Sequence, residues 1–116
     1  MMLRPKHIYV AGPYTNPDPV NNTGKAIRAG HLLLMQGFIP FIPHLTLQHP
    51  QPIEVWYHYD NEWLKKCDAL IRLPGDSDGA DDEVALMRKM ERPVFTGETT
   101  DVAINALVIY SQQISN

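Results

Sequence analysis

Four short apolar runs, each followed by a longer stretch of helical period, constrain this chain more than anything else in it. Residues His7–Ala11, 38–42, 68–73 and 93–96 are short, apolar and bounded by Gly, Pro or polar residues, which is the signature of strands. Residues 20–36, 53–67, 79–91 and about 100–112 repeat their apolar positions near 100° per residue, and so read as helices. Strands that alternate with helices of this length build βαβ units and a parallel sheet. Right-handed crossovers then place helices on both faces of that sheet.

The expected architecture is therefore an α/β fold: a small doubly wound parallel sheet of four to five strands, flavodoxin- or Rossmann-like, forming a single domain over residues 1–116. Local punctuation supports it. Gly12-Pro13 ends the first strand, and Pro17 and Pro19 delay the first helix, whose start is expected near Asn21, Asn22 or Thr23 and whose stop is Gly37. Pro43-His44 ends the second strand, and residues 45–52 read as a loop with two prolines and no period. In such sheets the ligand crevice lies beyond the carboxyl ends of the strands. Three loops meet that condition: residues 12–19, 43–52 and 74–79.

Composition narrows the function classes. A net charge of −3 without a basic run argues against a surface for nucleic-acid polymers. No apolar stretch approaches the ~20 residues that span a bilayer, and residues 1–6 are too short for a signal peptide. The single cysteine, Cys67, excludes an intrachain disulfide and suits a reducing compartment, so the expected location is cytoplasmic, with no membrane partner.

Two carboxylates break the helical patterns. Asp60 falls within the arc of Ile53, Trp56, Trp63, Leu64 and Cys67, and Glu83 falls at the centre of the arc of Ala80, Leu86, Met87 and Met90. Ionised carboxylates are rarely buried without a partner or a task. The plain reading of Glu83 is a first-turn acid that complements the helix dipole or caps backbone N–H groups, although Asp81 and Asp82 already supply that charge on the outer side. The plain reading of Asp60 is an ion pair with Arg28 or Arg72, or a bond to a backbone group.

Other features carry two readings each. Ser77-Asp78-Gly79 is either a helix cap or an anion-binding turn. Gly12-Pro13-Tyr14 lacks the glycines of a dinucleotide fingerprint and the Gly-Lys-Ser/Thr of a P-loop. His44 and His49 lack metal-ligand spacing, so no metal site is expected, but His44 directly follows a strand and is placed to reach the crevice. Cys67 reads as core, with nothing basic nearby to activate it. Tyr9 faces the opposite side of the sheet from Ile8 and Val10, and its hydroxyl needs a partner that a site carboxylate would supply.

Taken together, these residues resemble the nucleoside 2-deoxyribosyltransferase superfamily, including its 2′-deoxynucleoside 5′-phosphate N-hydrolase branch. The resemblance runs through Ile8-Tyr9-Val10-Ala11-Gly12-Pro13, through Asp60-x-x-Trp63-Leu64-x-x-Cys67-Asp68-Ala69-Leu70, and through Ser77-x-Gly79-x-x-x-Glu83 with Pro93-Val94-Phe95. Pro43-His44 after the second strand is similar to short bacterial and phage relatives. It implies that Glu83 is the nucleophile, that Asp60 assists the leaving base or holds the ribose, and that Tyr9 hydrogen-bonds and tunes Glu83. Gly12, Pro13, Tyr14, His44, Ser77 and Gly79 would contact substrate, a small nucleotide or nucleoside. Ser77 leans toward a 5′-phosphate, since the transferases carry an acid there. Two departures touch that phosphate: Asp81 stands where relatives often have glycine, and the first loop lacks a basic residue. The resemblance also implies no cofactor and a homo-oligomer of two or more copies, with Tyr110 on the last helix as a candidate contact. The expected activity is N-glycosidic cleavage of a nucleoside 5′-monophosphate; the alternatives are base exchange between nucleosides, a non-catalytic nucleotide-binding module, and a structural domain whose inward acids are only ion-paired.

Overall fold

The computed structural model describes residues 4–46 and 49–114. Along the chain run β1 (His7–Ala11), α1 (Pro19–Met35), β2 (Ile39–Phe41), a 3₁₀ turn (Pro43–Leu45), α2 (Ile53–Leu64), β3 (Ala69–Arg72), α3 (Asp78–Lys89), β4 (Val94–Phe95) and α4 (Thr100–Ile114). The four strands form one parallel sheet in the order β2-β1-β3-β4. The sequence expectation of a small doubly wound α/β sheet therefore holds. The chain winds outward from β1 to β2, then returns across β1 to β3 and β4. The reversal point lies between β1 and β3, where doubly wound sheets open their crevice.

Strand alternation sorts the core into two layers. Ile8 and Val10 of β1 face α1 and α4, packing with Ala26, Ala29, Leu33, Ala103, Ile104 and Leu107. Tyr9 and Ala11 face the other way, packing with Leu64 of α2, Leu70, and Val84 and Met87 of α3. Gly12 is required where β1 leaves the sheet, because a Cβ there would stand 2.9 Å from Leu73 Cβ. Gly75 has φ +114, and its added Cβ would meet Pro13 Cγ at 2.8 Å, so the first and third loops touch through glycine.

Several boundaries shift, each for a local reason. Helix α1 starts at Pro19 and is capped by Asp18, whose side chain accepts from Val20 N at 3.1 Å, rather than by Asn21, Asn22 or Thr23. Proline fits the first helical position because its missing N–H would have no partner there. Asn22 is instead buried beneath the first loop, donating to the carbonyls of Tyr14 (3.0 Å) and Asn16 (2.9 Å). Helix α2 stops at Leu64, short of Cys67, and α3 begins one residue early, at Asp78. Of the expected loop 45–52, Leu45 closes the 3₁₀ turn, and Leu47 and Gln48 lie outside the described residues.

The apolar arc of α2 is less buried than its period implies. Ile53 is 59% exposed, Trp63 is 42% exposed, and within α2 only Leu64 is fully covered. On α3 the covered residues are Ala80, Val84 and Met87, with Leu86 and Met90 partly so. Tyr110 packs edge-on against Phe95 at 5.3 Å within the same chain. No helix among the described residues is long and apolar enough to cross a membrane.

Candidate functional site

At the carboxyl ends of β1 and β3 the three loops surround a cleft of about 660 Å³. Gly12, Pro13 and Tyr14 come from the first loop, His44 from the second, and Ser77 from the third; Asp60 enters from α2, and Gly79 and Glu83 from α3. The structure thus gathers every residue to which the resemblance gives a site role except Tyr9, which lies directly beneath. Tyr9 is fully buried, and its hydroxyl donates to Glu83 Oε2.

That bond answers the plain reading of Glu83. The cap of α3 is Ser77, whose Oγ accepts from Ala80 N at 3.1 Å, so Glu83 is not needed at the helix end. It is turned toward the sheet, where burial lifts its pKa to about 7. The Tyr9 hydrogen bond and the Arg72 charge pull the other way, and the Asp60 charge adds to the rise. Burial first, and then the charges of Glu83 and Asp60, push the Tyr9 phenol far upward, so it remains a proton donor.

Among the described residues Asp60 meets neither Arg28 nor Arg72, the two ion-pair partners that its plain reading offered beside a backbone bond. Arg28 forks onto Asp101 (3.0 and 3.3 Å), and Arg72 reaches Gly75 O (2.9 Å) and Asp81 Oδ1 (3.0 Å). Asp60 Oδ1 is buried without a hydrogen-bond partner among the described residues, and burial raises its pKa to about 6. A buried acceptor left open inside a cleft is a contact for a ligand or a proton. Its helix is held by aromatic stacking. Trp63, one turn from Asp60, stacks on Phe41 at 5.3 Å, and Phe41 packs on Tyr9 at 5.6 Å.

The remaining expected residues have definite roles in the fold. Ser77 accepts one bond through its oxygen and keeps its proton to donate into the cleft. Gly79 has room for a side chain, with only Tyr57 Cε1 near, at 3.9 Å. His44 is buried, with Nε2 3.0 Å from Pro13 O, and so ties the second loop to the first; burial lowers its pKa. Asp81 is held outside the cleft by Arg72. Cys67 is buried and its thiol is pushed up to about 12, even though Arg92 lies beside it, donating to Cys67 O at 2.9 Å. The expectation that nothing basic is nearby is corrected: burial outweighs the arginine. Among the described residues no group of three or more His, Cys, Asp or Glu side chains is arranged to hold a metal.

Sequence reasoning missed Thr15, Asn16, Thr46, Gln51, Trp56, Tyr57 and Asp76 as lining residues. One signal was available. Trp56 stands four residues before Asp60, so any helix aiming Asp60 at the crevice aims Trp56 there too. No protein-family model matches this chain, and no curated protein aligns with it significantly.

Proposed function

We propose that this chain is a small N-glycosidase that cleaves the bond between sugar and base in a nucleoside or nucleoside 5′-monophosphate. One observation carries the reading: a carboxylate at the mouth of a parallel sheet, hydrogen-bonded from below by buried Tyr9 and sharing its cleft with a second carboxyl, whose Oδ1 has no partner among the described residues. Breaking an N-glycosidic bond develops positive charge at C1′, and a carboxylate beside it stabilises that charge or traps the sugar covalently. Glu83 takes that part. Asp60, lifted toward neutrality by burial, protonates a neutral leaving base. Tyr9 keeps Glu83 oriented and partly offsets the desolvation that opposes its ionisation. Ser77 and the first amides of α3 are assigned to the 5′-oxygen of the sugar. Water then completes hydrolysis, or a second base completes exchange.

Chromatographic detection of free base tests this, using ribo- and deoxyribonucleosides with their 5′-monophosphates, with and without an acceptor base. Release by wild type that disappears in Glu83→Gln supports the reading. No release from folded protein across the panel would remove it in favour of a binding module.

A further inference from the structure

The cleft's charge is one-sided. Asp60, Asp76, Asp78 and Glu83 line it, and among the described residues no lysine or arginine does. The nearest strand cation, Arg72, is turned away onto Asp81 and the Leu73 and Gly75 carbonyls. His44 is bonded to Pro13 O, and burial favours its neutral form. Helix N-termini, each worth roughly half a charge, attract anions, and among the described residues two reach the cleft: that of α2 at Ile53 and that of α3 at Ser77. Asp76 and Asp78 flank the latter with two full negative charges, so the carboxylates outweigh its dipole for a phosphate dianion. The rest of the lining suits a flat cation. Tyr14, Trp56 and Tyr57 line the cleft, and aromatic rings attract cations over their faces. Asp60 Oδ1 adds a buried acceptor without a partner among the described residues.

We infer, on the glycosidase reading above, that this cleft selects a nucleoside whose base is positively charged, an N-alkylated purine or a pyridinium, and whose 5′-hydroxyl carries no phosphate. The chemistry closes without a general acid. The C1′–N bond breaks, both electrons go to the ring nitrogen, and its positive charge is cancelled. Glu83 forms the C1′–O bond. Water adds at C1′, the electron pair of the Glu83 bond returns to the carboxylate, and one proton passes to solvent. Each turnover therefore releases one proton, whereas hydrolysis of a neutral nucleoside to neutral base and sugar releases none. Asp60 then acts as the counter-charge for the bound base. Asp60 Oδ1 suits this role as a buried acceptor on the cleft wall without a partner among the described residues.

The test separates binding from turnover. Equilibrium titration of Glu83→Gln uses 7-methylguanosine against guanosine, and nicotinamide riboside against its 5′-monophosphate. The expected result is about 10-fold tighter binding of each cationic nucleoside than of its neutral or phosphorylated counterpart, with the preference shrinking as salt is raised. Asp76→Asn with Asp78→Asn should bring the phosphorylated ligand to within about 3-fold of the nucleoside. Equal or tighter binding of the monophosphate, or no preference for 7-methylguanosine, overturns the inference. Wild-type turnover is followed in parallel as base released and protons released. Cationic ligands that bind as expected but release no base would end the glycosidase reading and leave the charge selection standing. Base released equally from monophosphates would keep that reading and end this inference.

Discussion

The two faces of the sheet are built from the same strands and do opposite work. Under α1 and α4 the buried layer is mainly apolar, from Ile8 and Val10 to Leu33 and Leu107, with Asn22 and Ser111 as its buried polar members. Under α2 and α3 the layer starts apolar, with Leu64, Leu70 and Met87, and then gives way at Tyr9 to Glu83, Asp60 and an open cleft. Residue alternation along five positions of β1 separates them, since each step moves a side chain to the other face. The comparison teaches where stability and chemistry reside. One face is packed with apolar side chains from two helices, while the other leaves a helix half uncovered and two acids above their ordinary range.

The sharpest way to break that comparison is Glu83→Gln. Base release should fall by at least about 10³-fold, since a nucleophile is removed outright. Stability should move the other way. The folded pKa of Glu83 is raised to about 7 from 4.5, so the unfolded chain gains more by ionising as pH climbs through that window. The penalty is absent below about pH 4 and complete above about pH 7, where it reaches at most about 3 kcal/mol. Thermal melts should therefore show Glu83→Gln more stable than wild type at pH 8 and indistinguishable from it at pH 4.

On the closed face, Leu107→Ala deletes a fully buried side chain and should cost about 2–5 kcal/mol in denaturant unfolding. The folded fraction should keep wild-type turnover per molecule. A large loss of kcat there would show that the faces are not independent.

Tyr9→Phe lies on the boundary between them. Removing the bond that lowers the Glu83 pKa should move the ionisation of Glu83 to higher pH and reduce turnover about 10-fold at neutrality. On a neutral nucleoside, wild type should give a bell-shaped profile between about pH 6 and 7. Its limbs belong to the coupled Asp60–Glu83 pair rather than to either residue. Tyr9→Phe should shift its base limb upward. An unmoved profile would remove Tyr9 from the tuning of the site.

The smallest effect is expected at Arg28. Its fork onto Asp101 is exposed and screened by solvent, so Arg28→Ala should leave the unfolding midpoint nearly unchanged.

Much of this molecule was legible from residue order alone. Every expected strand and helix is present, because each run is strongly periodic and bounded by Gly, Pro or capping residues. The inward placement of Asp60 and Glu83 was also visible as a break in helical period. The helix starts were less legible, since Asp18 and Asn22 are equally good capping types. Only the loop carbonyls of Tyr14 and Asn16 decide that Asn22 serves them instead. The exposure of Ile53 and Trp63 escaped the pattern because period identifies a face without saying how much of it a neighbour covers.

Local order along the chain thus determined the α/β architecture, the three loops at the strand ends and the two anomalous acids, all of which depend on contacts within a few residues. The tertiary structure alone decided which groups the acids of α3 meet. Tyr9 and Glu83 are separated by 74 positions and Arg72 and Asp81 by nine, yet sheet register and helix docking assign tyrosine to the one carboxylate and arginine to the other. Burial and charge at Glu83 follow from that assignment, because desolvation and Coulomb interaction depend on distance through space and not along the chain.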